Sequence, residues 1–210
     1  MNGLPAEMAD RWQDRAEPAP GDGLIYWHML VGTDPDVIAL AQKARRKLAP
    51  FGGLHMTPYA WLHITALIAG PTSRIGTEQI RQMSKAAARL LADVPPVTVT
   101  LGKILYHPEA IMLAVQPAEA LAPVRNVVKA ATSEVTGSSG GAGNKLPWAP
   151  HITIAYSTAR QPAAPIIAAL GRSLPERNVQ ISTVSVVNQQ GPERSWDWHP
   201  EATIRFGTSL

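Results

Sequence analysis

Two identical tripeptides, His63-Ile64-Thr65 and His151-Ile152-Thr153, stand 88 residues apart in this chain. Each lies in a short apolar run, Trp61-Leu62-His63-Ile64-Thr65-Ala66-Leu67-Ile68 and Trp148-Ala149-Pro150-His151-Ile152-Thr153-Ile154-Ala155-Tyr156. Side chains alternate along a strand, so the His and Thr of each copy share one face. Two imidazoles that titrate near neutrality can serve as a base and an acid, one entering neutral and the other charged. Each contributes about 10²–10⁴ in rate. Two hydroxyls beside them can donate to the non-bridging oxygens of a phosphoryl group as charge builds there. The set suits cleavage of a phosphodiester by water or a neighbouring hydroxyl. It calls for no metal and no cofactor.

A lone His-x-Thr carries little weight, and a third copy, His55-Met56-Thr57, is present. That copy precedes Pro58 in a stretch flanked by Gly and Pro, so its His and Thr need not share a face, and it is set aside. What singles out the other two is their joint occurrence in apolar runs at equivalent places in a repeated order. A metal site built from His28, His63 and His151 is a rival use of the same imidazoles, since catalytic zinc takes three protein ligands.

The elements that must carry these groups follow from periodicity and punctuation. Residues 24–31 read as a buried strand. Asp34-Pro35 then opens a helix as N-cap and first helical residue, with Val37, Ile38, Leu40, Ala41, Ala44 and Leu48 as its apolar stripe. The first motif strand covers 61–69 and is followed by a helix from Thr77 with Ile80, Met83, Ala87, Leu90 and Leu91. Residues 97–105 and 110–116 pair as a hairpin. A helix over 117–135, the Gly-rich stretch 137–143, the second motif strand at 151–156 and a short helix at 165–170 come next. Strands at 179–188 and 203–206 close the chain, with 195–199 extending the hairpin between them. Hairpins of this kind give antiparallel sheets, hence an α+β fold.

Bulk properties narrow the class. A chain of 210 residues buries a good core, and one bilobal domain over 24–210 after a mobile N-terminal tail over 1–23 is expected. The formal charge of +3 is compatible with an anionic ligand without demanding one. The run Lys43-Ala44-Arg45-Arg46-Lys47 reads as a solvated helix face. The absence of Cys excludes disulfides, thiolate catalysis and Cys-based zinc sites. With Glu7, Asp10, Asp14 and Glu17 among the first twenty residues and no apolar stretch near 18 residues, neither a signal peptide nor a membrane span is expected. The expected location is cytoplasmic, with no obligatory protein partner.

The paired triplets, each followed by alternating apolar residues, resemble the His-x-Thr/Ser signature of the 2H phosphoesterase superfamily, in particular its 2′-5′ RNA ligase-like (LigT-like) and cyclic phosphodiesterase members. The resemblance implies two antiparallel-sheet lobes related by a pseudo-twofold axis, with helices packed outside and a central cleft. It implies metal-independent hydrolysis of a 2′,3′-cyclic phosphate or a related cyclic phosphodiester on a nucleotide or RNA terminus, with reversible 2′-5′ ligation in some members. His151 would be the base toward water and His63 the acid toward the leaving oxygen, with Thr65 and Thr153 clamping the phosphate. Many such members carry an Arg shortly after the second motif, where this chain has Tyr156. Arg160 or Lys145 would have to replace that guanidinium. Tyr156, Trp61 and Trp148 are further candidates, as a wall on which a base stacks. A non-catalytic RNA-binding module on the same fold is the alternative.

Overall fold

A computed structural model describes residues 3–19, 21–140 and 148–207. In chain order the strands and helices are β1 (Glu7–Met8), β2 (Gly23–Leu30), α1 (Pro35–Leu48), β3 (Leu54–Met56), β4 (His63–Pro71), α2 (Thr77–Leu91), β5 (Val97–His107), β6 (Ala110–Ala114), α3 (Ala122–Thr136), β7 (His151–Ser157), β8 (Gln161–Pro162), α4 (Ala163–Leu170), β9 (Ser173–Ile181), β10 (Thr183–Gln190) and β11 (Trp198–Arg205). The fold is α+β with antiparallel pairing throughout, as the hairpin reading requires.

Strand order in the main sheet is β11-β10-β2-β4-β7-β6-β5-β9, with β3 beside β7. The order is symmetric about the β4–β7 junction. On either side, a motif strand is followed by β2 or β6, then β10 or β5, then β11 or β9. That junction is narrow: the only residue pair that joins β4 to β7 in register is Ile64 with Ile152. Two half-sheets therefore meet at the central residues of the two motifs.

The helices follow the same symmetry by exchange. Helix α1 arises between strands of the first half but packs on β9 and α4 of the second. Helix α3 arises between strands of the second half but packs on β4 and α2 of the first. Helix α1 starts as its sequence dictates: Asp34 accepts from the Asp36 and Val37 amides at 2.9 and 3.1 Å, with Pro35 next. Its stripe of Val37, Leu40, Ala41, Ala44 and Leu48 is buried. Helix α3 ends on Gly137, whose φ of 70° is the left-handed conformation that glycine adopts without steric cost. Burial of Ile25, Trp27 and Met29 on β2 and of Ile64, Ile152 and Ile154 on the motif strands makes the helix-facing side of this part of the sheet solid core. The face opposite Ile64 and Ile152 is left for chemistry.

Three sequence expectations change. The stretch 179–188 is not one strand: β9 ends at Ile181 and β10 starts at Thr183, so the run bends at Ser182 and serves both halves of the sheet. Alternation alone does not reveal that a strand changes partners midway. Trp61 lies in a 3₁₀ turn, Tyr59–Trp61, and not on the motif strand. Residues 3–19, expected as a tail, are laid against the body: β1 pairs with β8, and Met8 and Trp12 are buried. Among the described residues no helix is long and apolar enough to cross a membrane.

Candidate active site

Antiparallel register about the Ile64–Ile152 pair sets His63 beside Thr153 and Thr65 beside His151. Both Ile side chains are fully buried among the helices, so all four motif side chains emerge on the opposite face. The structure thus gathers His63, Thr65, His151 and Thr153 into one quartet related by the pseudo-twofold axis.

The two imidazoles are held by the same device. His63 Nδ1 lies 2.6 Å from the carbonyl of Trp61, and His151 Nδ1 lies 2.7 Å from the carbonyl of Ala149. In each case the acceptor is the residue two positions earlier. A carbonyl only accepts, so Nδ1 carries the hydrogen in both rings, and Nε2 of the neutral form bears the lone pair. Burial depresses both histidines. His63, 8% exposed, is pushed down to about 4, chiefly by loss of water, although its bond to Trp61 opposes this, and the nearby His151 lowers it further. His151 is lowered mainly by burial and also by Arg11 and His107. Burial therefore favours the neutral form of both rings in the free site.

His28 on β2 stands behind His63, with ring centroids 4.1 Å apart. It is stacked against Tyr26 at 4.8 Å and Trp198 at 5.4 Å. Neither of its nitrogens has a hydrogen-bond partner among the described residues, and burial holds it well below the ordinary imidazole range. Its contact with His63 is ring against ring. No cluster of three or more His, Asp and Glu among the described residues is arranged to hold a metal ion.

The aromatic side chains around the quartet differ from those read in the sequence. Trp198, on β11, packs edge-on to His63 at 5.1 Å and touches Trp61 at 5.5 Å. Trp196, half-buried and in left-handed backbone with φ 55°, lies 5.0 Å from Trp198 and 6.3 Å from Tyr156. Few bulky residues adopt that conformation, and such strain marks functional loops more often than structural ones. The Trp196 indole donates to His55 Nε2 at 2.9 Å, which places the third His-x-Thr copy in the aromatic cluster and apart from the quartet. Trp12 meets both His55 and Tyr156 at 5.5 Å. Trp61 thus belongs to this wall. Trp148 does not share it; its indole donates to the Thr65 carbonyl at 3.0 Å, beneath the Arg125 guanidinium.

Tyr156 is buried at 6% exposure, and desolvation pushes its hydroxyl up to about 12, while Arg11 and a hydrogen bond with Thr153 oppose that rise. It is floor beneath Trp12, and too enclosed to stack on a ligand. Arg160 is 78% exposed and paired with Glu7 at 2.7 Å, so it does not take the place of the missing Arg. Lys145 lies outside the described residues, as does part of the Gly-rich stretch 137–143. Arg45, read as part of a solvated face, caps the Thr57 carbonyl and stacks on Tyr59 at 3.8 Å, steadying the turn that carries Trp61. Sequence alone does not mark Arg11 or Trp12 for the site, and it leaves Trp196 and Trp198 as either core or cleft wall. Only the close spacing of Trp196 and Trp198 in a chain of six Trp offered a signal.

The sequence model of the 2′-5′ RNA ligase superfamily matches residues 33–193, a span that holds both motifs. No curated protein matches the sequence. Among solved structures the chain is similar to TT0787 of Thermus thermophilus, with a TM-score of 0.67 at 18% identity over 89% of this chain and 100% of that one. It is also similar to Escherichia coli LigT complexed with 3′-AMP, with a TM-score of 0.64 at 14% identity over 90% and 99%. A structure described as a phosphoesterase gives 0.62 at 14% identity over 90% and 99%.

Proposed function

The chain belongs to the 2′-5′ RNA ligase superfamily, and from that membership we propose that it hydrolyses a 2′,3′-cyclic phosphate or related cyclic phosphodiester of a nucleotide or RNA end without a metal ion. The observation that carries this reading is the matched locking of two imidazoles, each by the carbonyl two residues before it, on one face of one sheet. His151 is the more exposed of the two and is the base: its Nε2 removes a proton from water as the water oxygen attacks phosphorus. His63 Nε2–H gives its proton to the ribose oxygen as the phosphorus–oxygen bond to it breaks. Thr65 and Thr153 donate hydroxyl hydrogens to the non-bridging oxygens. The phosphate's own negative charge favours protonation of one imidazole, which supplies the acid. With a 5′-hydroxyl in place of water, the same steps open the cyclic phosphate to a 2′-5′ phosphodiester as the ribose 3′-oxygen leaves and takes the proton, and the reverse reaction exchanges the roles of the two histidines.

The test is hydrolysis of 2′,3′-cyclic mononucleotides in EDTA, followed by phosphorus NMR. His63→Ala and His151→Ala are each expected to lower kcat by about 10²–10⁴ with folding retained. Full activity in either variant, or loss of wild-type activity on chelation, overturns the mechanism. RNA affinity with a steep salt dependence and no turnover would establish a binding module instead.

A further inference from the structure

Residues 3–19 fall outside the span matched by the superfamily, yet they reach the site. After β1 the Ala9 amide donates to the Pro108 carbonyl at 2.8 Å and the Arg11 amide to the Ser157 carbonyl at 2.9 Å. These bonds lay the segment along the cleft face of the second half. There Trp12, only 9% exposed, covers Tyr156, Met112 and Ala110.

Arg11 then reaches carboxylates from both halves. Its Nε and Nη2 fork onto Glu193 at 2.7 and 2.9 Å, in the connection between β10 and β11 of the first half. Its Nη1 reaches Glu109 at 3.3 Å, in the turn between β5 and β6 of the second. The Arg11 side chain is 19% exposed, and its guanidinium lies 4.5 Å over the Tyr156 ring. Arg15 also bonds Glu109, and Arg194 pairs with Glu17 at 2.8 Å. One side chain therefore ties the two rims together across the cleft.

The position of this tie bears on the substrate. Trp196 follows Glu193 by three residues and joins Trp198 in the wall beside His63. A nucleoside whose phosphate sits on the quartet and whose base lies along that wall runs out against the Arg11–Glu193 pair. The charges there cancel: Arg11 and Arg15 face Glu109 and Glu193, and Arg194 faces Glu17. Binding a polynucleotide strand requires a basic track for successive phosphates, and this end offers none among the described residues.

We propose that Arg11 is a specificity-determining residue: by joining Glu193 to Glu109 it closes one end of the cleft, fitting the site to a mononucleotide-sized cyclic phosphate and shutting out the rest of an RNA chain. The proposal rests on the phosphoesterase reading above and chooses between its two substrate classes. To admit a second nucleotide, the fork must open, leaving Glu193 without its Arg11 partner and Glu109 with Arg15 alone in a partly enclosed site.

The test compares kcat/KM for a 2′,3′-cyclic mononucleotide and for a ten-nucleotide RNA ending in the same group. It uses full-length wild type, Arg11→Gln, Glu193→Gln and Arg11→Lys, each checked by thermal melting. Arg11→Gln is expected to raise the oligonucleotide-to-mononucleotide ratio by tenfold. Arg11→Lys, which keeps the positive charge but loses the fork, is expected to give a ratio between those of wild type and Arg11→Gln. A rise below threefold in Arg11→Gln overturns the proposal, and Glu193→Gln is judged by the same limit if Arg11→Gln does not fold. If wild type turns over neither substrate, the phosphoesterase reading fails. The clasp is then judged by the same limit on the binding of a 3′-phosphorylated decamer against a 3′-mononucleotide, read by tryptophan fluorescence.

Discussion

His63 and His151 each spend Nδ1 on a carbonyl of their own chain, so a two-residue span fixes both tautomer and ring direction. Their burial has a thermodynamic counterpart. An unfolded histidine titrates near 6.5. His63 is held down to about 4, and His28 and His151 are shifted the same way. Below about 6.5 the unfolded chain takes up protons that the folded site refuses, so stability is lost as pH falls from 6.5 towards 4. Urea unfolding midpoints should decline over that window, more steeply than in a His28→Leu variant; a flat profile in the wild type contradicts the burial argument. Trp196 makes the second residue-scale prediction. Base–aromatic stacking is worth about 1–3 kcal/mol, so Trp196→Ala should raise KM for a cyclic nucleotide roughly 5–150-fold while leaving kcat within a few-fold. At this scale the quartet was legible from sequence, because identical triplets with period-two alternation need no tertiary information. The aromatic wall was legible only in part: Trp61 is a candidate from sequence, but its meeting with Trp198 and Trp196 depends on contacts between distant parts of the chain.

The motif strands position the quartet through a single buried residue pair, and the 3₁₀ turn before β4 orients His63. That turn fits because Gly32 lies beneath it: a Cβ there would stand 1.9 Å from the Tyr59 carbonyl oxygen. Gly32→Ala must push the turn away, at about 1–3 kcal/mol of stability by analogy with overpacked cores. Because the Trp61 carbonyl moves with it, turnover should fall further than the loss of folded protein accounts for, as measured by kcat normalised to a melting curve; a fall no larger than that loss would separate the turn from the chemistry. Helices α1 and α2 were legible because their stripes repeat every three to four residues and Asp34-Pro35 announces the first of them. The bend at Ser182 was not, since nothing local distinguishes a strand with one set of partners from a strand with two.

Across the whole molecule, two half-sheets exchange their outer helices, and the cleft between them is spanned at one end by Arg11. The pseudo-symmetric α+β plan was readable from element order. The contribution of residues 3–19 was not, because Pro, Gly and charge in a terminal segment resemble a solvated tail, and Arg11 finds its carboxylates 98 and 182 residues away. The clasp is a feature that the superfamily motifs alone do not contain. The path of the chain carries a separate consequence. The first half-sheet begins with β2 and β4 but is finished only by β10 and β11, where Ile25 pairs with Asn188. Long-range pairings of this kind form late, since loop closure over so many residues must come first. During synthesis on the ribosome the second half can therefore assemble while the first still exposes the open edge of β2. Glu193, Trp196 and Trp198 emerge together with the strands that cover that edge. The nascent protein thus gains a completed first half-sheet and a complete cleft in the same step.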